Sequence, residues 1–199
     1  IESGVLGEIV EMHLRFDRFR PAIGPKAFKE TPVPGSGIWY DLGSHLIDQA
    51  ISIFGLPTHH YGYQNHYRAN AQVSDFGFMH LQFNKTNVFI TTSLMVADAQ
   101  AGIVVHGTKG SFVKEFCDTQ EAQLIEGRLP SDPDFGREPK DKEGILTIVA
   151  ADGSSTKSKI TSKKGRFNDL FDAVYQNIRH QEAYPITDED ILKQLELLS

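Results

Sequence analysis

The chain has 199 residues, 40% of them hydrophobic, which is enough for one sizeable core and short for two ordinary domains; one compact domain over residues 1–199 is expected. Its net charge of −6 offers no general attraction for nucleic acid, because clustered cations occur only at Arg15, Arg18 and Arg20 and along residues 157–164. No apolar run reaches the roughly 18 residues that span a bilayer, and the opening Ile1-Glu2-Ser3-Gly4 does not resemble a signal peptide, so no membrane role is expected.

Residues 7–19 alternate as a long strand, with Ile9, Glu11, His13, Arg15 and Asp17 on one side and Val10, Met12, Leu14 and Phe16 on the other. Entry into a strand so soon after Ile1, together with a last helix that has no stop signal, reads as a piece cut from a longer polypeptide. Residues 20–36 carry four prolines and two glycines and form a loop of a length that is often functional. A helix over Asp41 to Phe54 follows, stopped by Gly55 as a left-handed cap with Pro57 beyond.

A strand-rich block comes next, at 61–67, 73–83, 88–96, 103–106, 111–116 and 122–126. The polar turns at Asn84 to Asn87 and Gly107 to Gly110 make neighbouring strands antiparallel. Two of the strands, 73–83 and 88–96, are apolar on both faces, and a second subunit is the simplest cover for the extra face. Cys117 is the single cysteine; it cannot form an internal disulfide, suits a reducing compartment such as the cytoplasm, and is expected to pack. Residues 129–143 make a polar excursion. A hairpin turned at Asp152-Gly153 joins 145–149 to 155–160, residues 167–178 have helical spacing, and Thr187 to Asp190 form a capping box for a final helix. The fold class is α+β: one large, mainly antiparallel open sheet with helices packed on one face.

On the helix from Asp41 to Phe54 the polar residues Asp41, His45, Asp48 and Ser52 fall within about 60° of one another at roughly 100° per residue, opposite an apolar side. A carboxylate four residues from an imidazole is its neighbour and can fix its tautomer and stabilise its protonated form, as a general base requires. The same three groups, Asp41, His45 and Asp48, are also a zinc or iron ligand set on paper. His59 and His60 are adjacent in a strand and point to opposite faces, so they add little to a metal site, and none is assigned. Gly35-Ser36-Gly37 lacks the third glycine and the strand-to-helix setting of a dinucleotide fingerprint, and no nucleophile elbow is present.

The segment from Gly35 to Asp48, Gly-Ser-Gly-Ile-Trp-Tyr-Asp-Leu-Gly-Ser-His-Leu-Ile-Asp, followed by Phe54-Gly55-Leu56-Pro57, resembles the substrate-domain signature of the Gfo/Idh/MocA oxidoreductases. Leu6 to Ile9 leading into Phe16-Asp17-Arg18-Phe19-Arg20-Pro21, and the Val105 to Ser111 hairpin, resemble the same family. The resemblance implies an NAD(P)-dependent oxidoreductase of which this is the α+β half, with a Rossmann domain holding NAD or NADP elsewhere in the protein and the isolated half inactive. It implies that His45 is the acid/base for a hydroxyl proton, that Asp41 orients and charge-balances it, and that Asp48, Arg18 and Tyr40 stand on the substrate side. It further implies a polyol or sugar substrate such as an inositol, and a homo-oligomer formed through the open sheet face. For Arg18 and Arg20 three uses are open: ordering the loop, reaching substrate, or pairing with Asp17 and Glu30, a structural use being preferred to the substrate one. A catalytically silent binding or assembly module, and a metal-dependent hydrolase or isomerase, are the alternative readings.

Overall fold

The computed structural model describes residues 1–115 and 118–199. The expected strand end at Phe116 and the packing role of Cys117 therefore lie outside the described residues. The elements in chain order are β1 (Ile9–Asp17), α1 (Ala27–Glu30), a π turn (Trp39–Gly43), α2 (Ser44–Phe54), β2 (His59–Asn65), β3 (Phe76–Phe83), β4 (Thr86–Ser93), β5 (Ile103–Gly107), β6 (Gly110–Lys114), α3 (Thr119–Ile125), β7 (Gly144–Val149), β8 (Ser155–Ile160), α4 (Asn168–His180) and α5 (Asp188–Leu198). No helix among the described residues is long and apolar enough to cross a membrane.

The eight strands among the described residues join one open sheet in the order β2-β3-β4-β1-β5-β6-β7-β8. It is mainly antiparallel, as expected, but the neighbours β4 and β1 run parallel, with Leu14 opposite Ile90. Hairpin loops dictate only the pairing of consecutive strands. β1 instead recruits partners more than seventy residues downstream, and no turn signal specifies that direction.

β1 turns Met12, Leu14 and Phe16 inward, where Met79, Leu81 and Phe83 of β3 and Val88 and Ile90 of β4 join them. α2 lays Leu46, Ile47, Ala50 and Ile51 on this layer, and the end of α5 adds Leu197 and Leu198. Val10, expected on the same oily side, is exposed because the β1–β5 register shifts between Ile9 and Glu11. The outer face carries His13, Phe89 and His80 as a stacked row, with ring centroids 5.1 and 4.9 Å apart. Phe76, Phe78 and Tyr63 continue it. No element of the chain lies over that row among the described residues.

Three local expectations change. The helix expected from Asp41 begins instead as a π turn at Trp39, whose indole is buried between Gly43 and Gly77; a methyl group at either glycine would collide with the ring. Gly55 does have a positive φ, 77°, but its ψ of −153° is extended rather than left-handed helical, a combination essentially reserved for glycine. Its amide still donates to the Ile51 carbonyl at 2.8 Å. Residues 122–126, expected as a strand, belong to α3, whose first turn is capped by the Asp118 carboxylate accepting from the Glu121 amide. α3 buries Gln120 and Gln123 and exposes Leu124 and Ile125, so hydrophobic periodicity points the wrong way there.

Candidate active site

Beyond the C-terminal end of β1 lies an open cleft of about 790 Å³. One side is made by Phe16, Arg18 and Arg20 from the end of β1, Lys26 and Lys29 from the proline-rich loop and α1, and Asp41, Leu42, His45 and Gln49 from the π turn and α2; Gln120, Glu121 and Leu124 of α3 and Glu138 contribute elsewhere. Three of the residues singled out from the sequence, His45, Asp41 and Arg18, thus share one cleft. Asp48 is exposed and Tyr40 is half-buried against the core, and neither lines it.

His45 is exposed, held on the one exposed strip of a helix whose next residues, Leu46 and Ile47, are sealed in the core. Its ring meets that of Phe16 at 6.3 Å between centroids. Among the described residues its nitrogens make no hydrogen bond to protein, which leaves the imidazole edge available to a bound hydroxyl. Asp41 does not pair with it. The Asp41 carboxylate instead accepts from Lys29 Nζ at 2.6 Å, a half-exposed ion pair worth about 0–1 kcal/mol. Asp41 and Lys29 together add a charged but neutralised corner beside the imidazole. Gln49, one turn after His45, also lines the cleft. Its neutral amide carries no titratable signature in the sequence, although the i, i+4 spacing from His45 places it on the same strip.

The loop carrying Lys26 and Lys29 is held from below by a buried ionic knot. Arg68, with its side chain only 2% exposed, gives Nε to Asp75 at 3.1 Å and Nη2 to Glu30 at 2.7 Å. Asp75 is fully buried and also accepts from the amides of Tyr67 and Arg68. Hydrogen bonding from Arg68 holds the Glu30 carboxyl below the usual carboxylate range, against the opposing effect of burial. On Arg68 itself burial opposes the charge, and the hydrogen bonds it donates to Glu30 and Asp75 outweigh it and raise its pKa. Nothing in the sequence pattern marked this knot, since Arg68 sits in a polar, turn-like stretch.

The structure does not show the pairing of Arg18 and Arg20 with Asp17 and Glu30. Asp17 accepts from Arg15 Nε at 2.8 Å and Glu30 is taken by Arg68. Arg18 instead lays its guanidinium over the Phe16 ring, 4.8 Å from the centroid. Among the described residues no group of three or more His, Cys, Asp or Glu side chains could hold a metal ion.

Residues 1–199 match a family model described as the oxidoreductase family, C-terminal alpha/beta domain. Uncharacterized oxidoreductase YhhX of Escherichia coli is 34% identical over all of this chain and 56% of its own length. The scyllo-inositol 2-dehydrogenase (NADP(+)) IolW of Bacillus subtilis is 29% identical over 96% of this chain and 52% of its own length. Among solved structures, an oxidoreductase from Bacillus cereus superposes with a TM-score of 0.87 at 28% identity, over 100% of this chain and 57% of that one. The chain thus spans about half the length of the curated relatives it matches. It belongs to the Gfo/Idh/MocA oxidoreductase family, as that family's C-terminal alpha/beta domain.

Proposed function

We propose that this chain is the substrate-binding and acid/base half of an NAD(P)-dependent dehydrogenase that oxidises a hydroxyl-bearing carbon of a polyol or sugar, or reduces the matching carbonyl. The observation that carries this is His45: an imidazole with an open edge, on a rigid helix, in the wall of a cleft large enough for a sugar-sized molecule. The name of IolW supports a polyol, and its NADP(+) supports a nicotinamide cofactor. The described residues hold no glycine-rich turn between a strand and a helix, so they do not build a dinucleotide site themselves. On this reading NAD or NADP is held by a Rossmann domain corresponding to the part of the relatives' length that these 199 residues do not span.

Within that assignment His45 takes the hydroxyl proton in oxidation and returns it in reduction. The Asp41–Lys29 pair contributes little net charge, so Asp41 acts through the placement of polar groups rather than as a free counter-ion. Asp48 and Tyr40 stand outside the cleft wall, and a substrate role for either requires movement or a large substrate. The outer sheet row of His13, Phe89 and His80 seats a second copy, making the protein a homo-oligomer. In the full-length protein, His45→Ala lowers kcat by about 10²-fold or more on a polyol substrate. Steady-state kinetics check this; a folded variant with unchanged turnover would remove His45 from the chemistry.

A further inference from the structure

The arginines at the end of β1 are placed with more care than loop residues need. The Arg18 amide donates to the Ser93 carbonyl at 2.8 Å, its carbonyl accepts from the Val96 amide at 3.1 Å, and the Arg20 amide donates to the Leu94 carbonyl at 2.8 Å. Both side chains therefore leave a backbone stitched to the end of β4 and the residues just after it. The Arg18 guanidinium lies on one ring, Phe16, that also meets His45. Such stacking holds the guanidinium plane still.

The carboxylates that would neutralise these cations are engaged elsewhere: Asp17 with Arg15, Glu30 with Arg68, and Asp41 with Lys29. Among the described residues no ion pair includes Arg18, Arg20 or Lys26, and all three line the cleft. The acids that line it, apart from Asp41, are Asp118, Glu121 and Glu138, from α3 and its flanks, and Glu138 is tied to Lys114 at 2.8 Å. A protein with net charge −6 thus gathers an excess of positive charge on the side of the cleft that presents His45. A wall of one sign in a cleft focuses the field on ligands of the opposite sign, and an arginine fork matches a carboxylate or phosphate edge-on.

We propose that Arg18, with Arg20, binds an anionic group of the substrate, a carboxylate or phosphate carried by the same molecule whose hydroxyl meets His45. The substrate class is then an acidic or phosphorylated sugar or polyol rather than a neutral one. This rests on the dehydrogenase reading above for the role of the hydroxyl, but the anion subsite is testable without turnover. The cofactor's phosphates are the other source of the same chemistry.

The test uses the full-length protein, its His45→Ala, Arg18→Met and Arg20→Met variants, and three probes: myo-inositol, D-gluconate and D-glucitol 6-phosphate. Calorimetric titration is expected to show at least one anionic probe binding more tightly than myo-inositol, with His45→Ala retaining that binding. Each arginine variant should weaken it by about 10- to 100-fold, the scale of a lost charged hydrogen bond, and raised salt should weaken it in the wild type. Thermal melts of both arginine variants confirm folding. Where turnover is measurable, KM for the anionic probe rises in Arg18→Met while KM for NAD(P) does not. Anion binding without turnover of any probe keeps the subsite and removes the dehydrogenase reading. Preference for myo-inositol, no anion binding at millimolar concentration, arginine variants that bind normally, or a rise confined to the cofactor KM each overturns the proposal.

Discussion

Helices α2 and α4 are of similar length, eleven and thirteen residues, and both are amphipathic, yet α2 seals Leu46, Ile47, Ala50 and Ile51 away from solvent while α4 buries none of its residues. The apolar stripe of α4, with Phe171 68% and Ile178 70% exposed, meets no strand layer among the described residues. A helix's pattern states which side wants burial; only a partner surface converts that into stability. α2 has that surface in β1, β3 and β4, so the side chains it presents outward, His45 among them, inherit the rigidity of the core. The same contrast separates the strands, because β3 and β4 alternate buried and half-exposed residues whereas β8 is exposed along its whole length.

The contrast predicts where substitutions are felt. Arg68→Met strands the fully buried Asp75 carboxylate and should cost about 3–5 kcal/mol; chemical denaturation of the 199-residue chain measures it, and a loss below 1 kcal/mol would mean that water reaches the knot. Leu46→Ala, which opens a cavity under α2, should cost about 2–5 kcal/mol in the same assay. Acid acts on the loop anchor. Because the Glu30 carboxyl is held below its ordinary value in the fold, its contribution is complete above that ordinary value and disappears as the pH falls through the lowered one. The Tm gap between wild type and Glu30→Gln should therefore narrow as the pH is lowered, and a gap independent of pH would deny the charge any part. Phe171→Ser on α4 should change stability by no more than about 0.5 kcal/mol. A loss comparable to that of Leu46→Ala would show that α4 is packed in solution and would erase the distinction.

These differences also explain what could be read from the residues alone. α2 was legible because its apolar positions recur at helical spacing and end at Gly55, and the hairpins were legible because their turns are short and polar. α3 was not, because the side chains it buries are glutamines that satisfy backbone amides: Gln123 accepts from Gly136 and Gln120 from Phe167. The parallel β1–β4 pair and the Arg68 knot were hidden for a shared reason. Each joins segments distant in sequence through contacts that leave no local periodic trace. The row of Asp41, His45 and Asp48 was read as one line on one regular helix. The π turn divides it, Lys29 claims Asp41, and the cleft takes Gln49 where the line had Asp48.

Trp39, the only tryptophan in the chain, lies 2% exposed between Gly43 and Gly77, six residues ahead of His45. Its fluorescence is consequently a built-in optical gauge of the joint between the π turn and α2. A red shift under mild denaturant would mark the moment at which the platform beneath the cleft loosens, whatever the rest of the sheet is doing.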